Sequence, residues 1–183
     1  MEISITIHNP IELKSMNMNV ENLIISSNSC NDLNELNLNE YRYLKSIEIG
    51  NDCFKNVDVF NINGLNELKS LMIGSRSFST IKSADDWDFN KVKNDSSRSF
   101  HLLNCTELES IEIGRFSFVA FGDKFELINL PKLSTIKIGS IETDTSESND
   151  HGWSVNFVFA SFEIKGIIDM ILLINRSSKF EFD

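Results

Sequence analysis

The stretch "DDWDFN" sets Asp86, Asp88 and Asn90 at alternate positions, the spacing at which oxygen ligands enter a calcium loop. Such a loop needs glycine at its sixth position and glutamate at its twelfth, and these positions hold Lys91 and Ser97. An EF-hand is excluded, and no metal site is expected. The histidines His8, His101 and His151 stand in three different contexts, with no motif that pairs any of them with a serine, cysteine or carboxylate. Triads assemble from residues far apart in sequence, so spacing alone offers no nucleophile and base to match. The expectation is a protein without catalytic residues or a cofactor. Cys30, Cys53 and Cys105 form an odd, sparse set without a C-x-x-C pair, which fits neither a disulfide framework nor a zinc site. Buried free thiols are the expected state.

The elements that would position any site are written as a repeat. "LKSIEIG" fills residues 44–50, "LKSLMIG" 68–74, "LESIEIG" 108–114 and "LSTIKIG" 133–139, and "VENLIISSNSC" opens a weaker copy at Val20. Starts are 24 apart at Val20, Leu44 and Leu68, and 25 apart at Leu108 and Leu133; the step of 40 between Leu68 and Leu108 holds an excess of about 16. Counting Leu108 as position 1, the apolar set continues with Ile111, Ile113, Phe118, Phe125, Leu127 and Leu130. Eight residues separate the second Phe-type position from the next start: Leu36 to Leu44, Phe60 to Leu68, Phe100 to Leu108, Phe125 to Leu133, and Phe162 to Met170.

L-x-x-I-x-I and F-x-L both alternate as strands do, and β-branched Ile dominates the first. Neither has helical periodicity. One parallel strand per repeat is expected from L-x-x-I-x-I, with an extended or short 3₁₀ wall opposite. Two columns ask for special backbone. Position 7 reads Ser26, Gly50, Gly74, Gly114, Gly139, which predicts positive φ or close packing on the next repeat. A later column reads Glu40, Gly64, Asn104, Asn129, Gly166; exchange of Gly with Asn predicts a left-handed turn.

The motifs L-x-x-I-x-I-G-x-x-S-F and F-x-L-x-N-C-x-x-L resemble leucine-rich repeats over about residues 20–175. "SFHLLNCTELESIEIG" is most similar to the BspA-like branch of bacterial and protist proteins. Position 9, where many leucine-rich repeats carry asparagine, reads Asp52, Arg76 and Phe116. The resemblance implies a mainly β fold, a leucine-rich repeat solenoid of about 24-residue coils with a parallel sheet on the concave face. A right-handed parallel β-helix is the alternative. The expected organisation is one domain over 1–183: a cap or partial repeat at 1–19, repeats over 20–169 starting at Val20, Leu44, Leu68, Leu108 and Leu133, inserts at 80–99 and 140–154, and a degenerate last coil at 170–183.

Both inserts interrupt a repeat after its first strand, and each contains one of the chain's two tryptophans, Trp87 and Trp153. Trp is enriched at binding hot spots and loops on rigid scaffolds often carry recognition; either ring would equally serve to anchor its own loop. The second insert holds Glu142, Asp144, Glu147 and Asp150 with no Lys or Arg. On the L-x-x-I-x-I strands one outward column is small and polar: Asn22, Ser46, Ser70, Ser110, Thr135. Its neighbours vary. The candidate partner-binding residues are therefore Trp87, Asp86, Asp88 and Trp153 in the inserts, with Lys45, Glu48, Lys69, Met72, Glu109, Glu112 and Lys137 on the strand face.

The formal net charge of −10 argues against tracking nucleic-acid phosphates and against docking on anionic lipid. The longest apolar run, "IIDMILLI" at 167–174, is too short for a membrane span and contains Asp169. The first residues lack a signal-peptide pattern, so a cytoplasmic or otherwise intracellular setting is expected, with the cell surface as the alternative if the chain is part of a longer protein. The function expected is a non-enzymatic protein–protein interaction module with a protein partner. A carbohydrate-binding or carbohydrate-active β-helix and a structural component of a larger assembly are the alternatives.

Overall fold

In the computed structural model the described residues are 2–80, 95–139, 156, 160–167 and 171–174, with backbone alone for Phe162 and 171–174. Each repeat sends one strand to each of two parallel sheets. The L-x-x-I-x-I segments give β2 (Asn22–Ile25), β4 (Ser46–Ile49), β6 (Ser70–Ile73), β8 (Ser110–Ile113) and β10 (Thr135–Ile138). They pair in sequence order, flanked by β1 (Ser4–Ile7) and β12 (Ile171–Ile174), as a seven-stranded sheet. The F-x-L segments give β3 (Glu35–Asn37), β5 (Val59–Asn63), β7 (Ser99–Leu103), β9 (Lys124–Ile128) and β11 (Ser161–Lys165), a five-stranded sheet. The register follows the repeat: Ile47 lies against Leu71, Leu71 against Ile111 and Ile111 against Ile136. The wall expected to be extended or 3₁₀ is thus a second sheet.

The one helix among the described residues is α1 (Pro10–Lys14). Asn9 caps it, accepting from the amides of Ile11 and Glu12, while Glu12 Oε2 accepts from the His8 amide at 2.7 Å. Pro10 in the first turn lacks the amide that would otherwise need a partner. Five residues fold as a helix here because both ends of the cap are satisfied and Leu13 is buried.

The core lies between the sheets and its centre is phenylalanine. Phe54, Phe78 and Phe118 stack in one column with ring centroids 5.3 and 4.6 Å apart. Phe60, Phe100 and Phe125 stack in a second at 4.6 and 4.9 Å. The columns meet edge to face, Phe60 against Phe78 at 88° and Phe100 against Phe118 at 88°, the geometry ring quadrupoles favour. All six rings are buried. Cys30, Cys53 and Cys105 are buried free thiols, as expected, and burial pushes the Cys30 thiol up to about 11.

The left-handed column is present at Gly64 (φ 74°), Asn104 (φ 55°), Asn129 (φ 57°) and Gly166 (φ 70°). Glu40, placed in the same column by the sequence, is absent from the positive-φ set. Position 7 divides: Gly139 has φ 94°, whereas Gly50, Gly74 and Gly114 are required by space. A Cβ on Gly74 would stand 2.6 Å from the Asn51 amide nitrogen and 2.6 Å from the Gly50 carbonyl carbon.

Between positions 7 and 12 the chain makes a turn wall that the sequence does not announce. Position 9 is left-handed at Asn28, Asp52, Arg76 and Phe116, and position 11 at Cys30, Phe54, Phe78 and Phe118. Left-handed backbone costs an ordinary residue roughly 1–2 kcal/mol, and hydrogen bonds between repeats offset it. Position-9 amides donate forward, Asn28 to the Asn51 carbonyl, Asp52 to Ser75 and Arg76 to Arg115, at 2.8–2.9 Å. Position-11 amides donate backward, Phe54 to Ser29, Phe78 to Cys53 and Phe118 to Ser77. The buried side chain at position 10 completes the wall. Cys53 Sγ donates to the Ser26 carbonyl, Ser77 Oγ to Gly50, Ser117 Oγ to Gly74, and Asn156 Nδ2 to Gly114. Ser77 and Ser117 hydroxyls also accept from the amides of Cys53 and Ser77. Asn156 therefore stands, beyond the second insert, where position 10 of the Leu133 repeat belongs. The residues ending the first insert also lie within the stack: the Asp95 amide donates to the Ala120 carbonyl and Ser99 to Asp58.

Candidate functional site

The strand-face residues singled out from sequence lie together on the seven-stranded sheet. Thr6, Ile24, Glu48, Met72, Glu112 and Lys137 form one column in register. Lys45, Lys69 and Glu109 immediately precede β4, β6 and β8, each amide donating to the preceding member's carbonyl at 2.7–2.8 Å, beginning with the Glu21 carbonyl. Lys45 pairs with Glu21 at 3.2 Å and Lys137 with Glu112 at 3.1 Å. These pairs are partly exposed, so they set the pattern of charge more than they stabilise the fold. Ile24 is 36% exposed and Met72 half-buried, two separate apolar positions on the charged face. The small polar column runs Ser4, Asn22, Ser46, Ser70, Ser110, Thr135. Part of it is cross-strand pairing: Ser46 Oγ donates to Asn22 Oδ1 at 2.7 Å, and Asn22 Nδ2 to Ser4 Oγ at 3.1 Å. Asp86, Trp87, Asp88 and Trp153 fall outside the described residues.

The outer face of the five-stranded sheet carries an arrangement the sequence reading missed. Its middle column is polar: Asn37, Asn61, His101, Glu126, Glu163, one from each strand and in register. His101 Nδ1 lies 2.5 Å from Glu126 Oε2, and His101 Nε2 lies 2.8 Å from Ser99 Oγ. Lys124 Nζ donates to the other Glu126 oxygen at 3.2 Å. The hydrogen bond from His101 is the main cause that holds the Glu126 carboxyl below the usual range; burial opposes it, and the hydrogen bond from Lys124 adds to the lowering. Ser99 is 5% exposed, and the side chains of His101 and Glu126 are 22% and 13% exposed. Asn61, beside His101 in the column, has a buried amide oxygen with no hydrogen-bond partner.

His101 thus has the serine and carboxylate that no motif offered. The signal was in the repeat: Glu126 follows His101 by 25 residues, one period, so both must face the same way on adjacent strands. Ser99 precedes His101 by two, the spacing that shares a face of one strand.

Among the described residues no group of three or more His, Cys, Asp or Glu side chains is placed to hold a metal ion. No helix among them is long and apolar enough to cross a membrane. Comparison with family models, with curated proteins and with solved structures gave no match.

Proposed function

We propose that this chain is a leucine-rich repeat solenoid that works as a protein-interaction module, binding its partner across the outer face of the seven-stranded sheet. The observation that carries the reading is the register of that face. Seven parallel strands at about 4.8 Å spacing give a ladder roughly 29 Å long between its outermost strands. Across it the charges of Glu21, Lys45, Lys69, Glu109, Glu48, Glu112 and Lys137 sit at fixed positions around Ile24 and Met72. A rigid backbone with variable outward side chains loses little conformational freedom on binding, which favours specificity by charge pattern and shape. The turn wall supports the same reading, since its Ser and Cys ladder ties each repeat to the next and stiffens the scaffold.

The test is comparative affinity capture with full-length chains: wild type, a face variant (Met72→Asp with Glu112→Lys), and an insert variant (Trp87→Ala with Trp153→Ala). A partner held by wild type and by the insert variant, and lost from a correctly folded face variant, is the expected result. A partner lost only from the insert variant would move recognition to the inserts and overturn the assignment to the sheet face.

A further inference from the structure

The five-stranded sheet carries separate chemistry. We propose that Ser99, His101 and Glu126 form a nucleophile, base and orienting carboxylate for acyl transfer, with small acyl esters as the substrate class. The connectivity is the one such chemistry needs: a hydroxyl on one imidazole nitrogen at 2.8 Å and a carboxylate on the other at 2.5 Å. The roles follow from the charges. Glu126, held ionised by His101 and Lys124, takes its hydrogen bond from Nδ1–H. That fixes the tautomer and leaves Nε2 free of a proton, able to accept that of Ser99.

The sequence of bonds closes on itself. Ser99 Oγ attacks the ester carbonyl carbon while its proton passes to His101 Nε2. The carbon–alkoxy bond then breaks, and the imidazolium returns that proton to the departing alcohol. Water attacks the acyl-serine, gives a proton to His101, and the acid leaves as Ser99 recovers its own. No oxidant, metal or further reactant is consumed. The register that sets Phe100 against Phe125 places Lys124, one residue earlier, beside Ser99 on the neighbouring strand. Its ammonium is the cation on hand for the developing oxyanion.

Burial sets the substrate size. Ser99 is 5% exposed, with Val59, 38% exposed, paired to it on one neighbouring strand and the half-exposed Lys124 side chain on the other. So little exposed surface at the hydroxyl selects for acetyl and similarly small acyl groups over a protein or polysaccharide chain.

The probe is a small alkyl fluorophosphonate applied to the folded full-length chain, read by intact mass and peptide mapping, with p-nitrophenyl acetate turnover alongside. The expected result is a single adduct on Ser99. His101→Gln should slow labelling by about 100-fold or more. Glu126→Gln should slow it while leaving circular dichroism unchanged. Ser99→Cys retains a nucleophile and tests the position if Ser99→Ala fails to fold. Absence of a Ser99 adduct on folded wild type, or labelling that His101→Gln leaves unchanged, overturns the proposal and leaves a structural polar column. Neither result bears on the opposite sheet face, whose test is partner capture.

Discussion

Ser77 shows how one residue ties three repeats together. Its hydroxyl donates to the Gly50 carbonyl and accepts from the Cys53 amide, and its own amide donates to Ser117 Oγ. The two bonds that Ser77 and Ser117 hydroxyls accept are buried and the one to Gly50 is part-buried, so an unmade bond costs most of the desolvation of the stranded group. Ser77→Ala strands one amide and one carbonyl and is expected to lower stability by about 1–3 kcal/mol in chemical denaturation. Ser77→Cys, which copies the residue found at Cys53, is expected to recover part of it. Equal stability of wild type and Ser77→Ala would mean the ladder carries nothing. The sequence offered part of this column, because G-x-x-S-F repeats the serine. It did not say that the serine faces inward, since the left-handed residues on either side break the strand alternation from which inside and outside are inferred.

The turns are the elements on which the stack depends, and their two kinds of glycine differ in cause. Gly64 is needed for its φ of 74°; the nearest atom to a Cβ there is the end of the Arg42 side chain at 3.1 Å. Gly74 is needed for space, because the Asn51 backbone closes on it. The same substitution separates them. Gly64→Asn places the residue already used at Asn104 and Asn129, and should change stability by no more than about 0.5 kcal/mol. Gly74→Asn forces a side chain into neighbouring backbone and should cost about 3 kcal/mol or more, with overpacking as the mechanism. Comparable melting of the two variants would refute the distinction. Sequence alone left this open for position 7, because glycine satisfies either demand and the column carries no second residue type except Ser26.

At the scale of the molecule, stability comes from neighbours. Each repeat buries its apolar face only on the repeats beside it, and the phenylalanine columns are the continuous part of that contact. Phe78 touches Phe54 and Phe118 in its own column and Phe60 in the other. Phe78→Ala should cost about 3–5 kcal/mol in chemical denaturation, at the upper range for a core cavity, because rings above and below prevent collapse into the space. A loss below about 1 kcal/mol would contradict the stacking.

The period, the inward set and the L-x-x-I-x-I strand of each repeat were legible in the sequence, because alternation and spacing are local properties that a chain writes in one dimension; that the opposite wall pairs into a second sheet was not. The sequence by itself also determined that Cys30, Cys53 and Cys105 are core thiols, since they occupy inward or small positions of the pattern. Only the tertiary structure decided which outward residues meet. Stacking at about 4.8 Å brings residues a full period apart into hydrogen-bond range, so His101 finds Glu126 on the next strand and Asn156 continues a ladder begun at Ser29 and Cys53. The period allows the first contact, but the second depends on register after an insert is passed over, and both need the strands to stack, which the packing of the phenylalanine columns between the sheets brings about and no stretch of sequence contains alone.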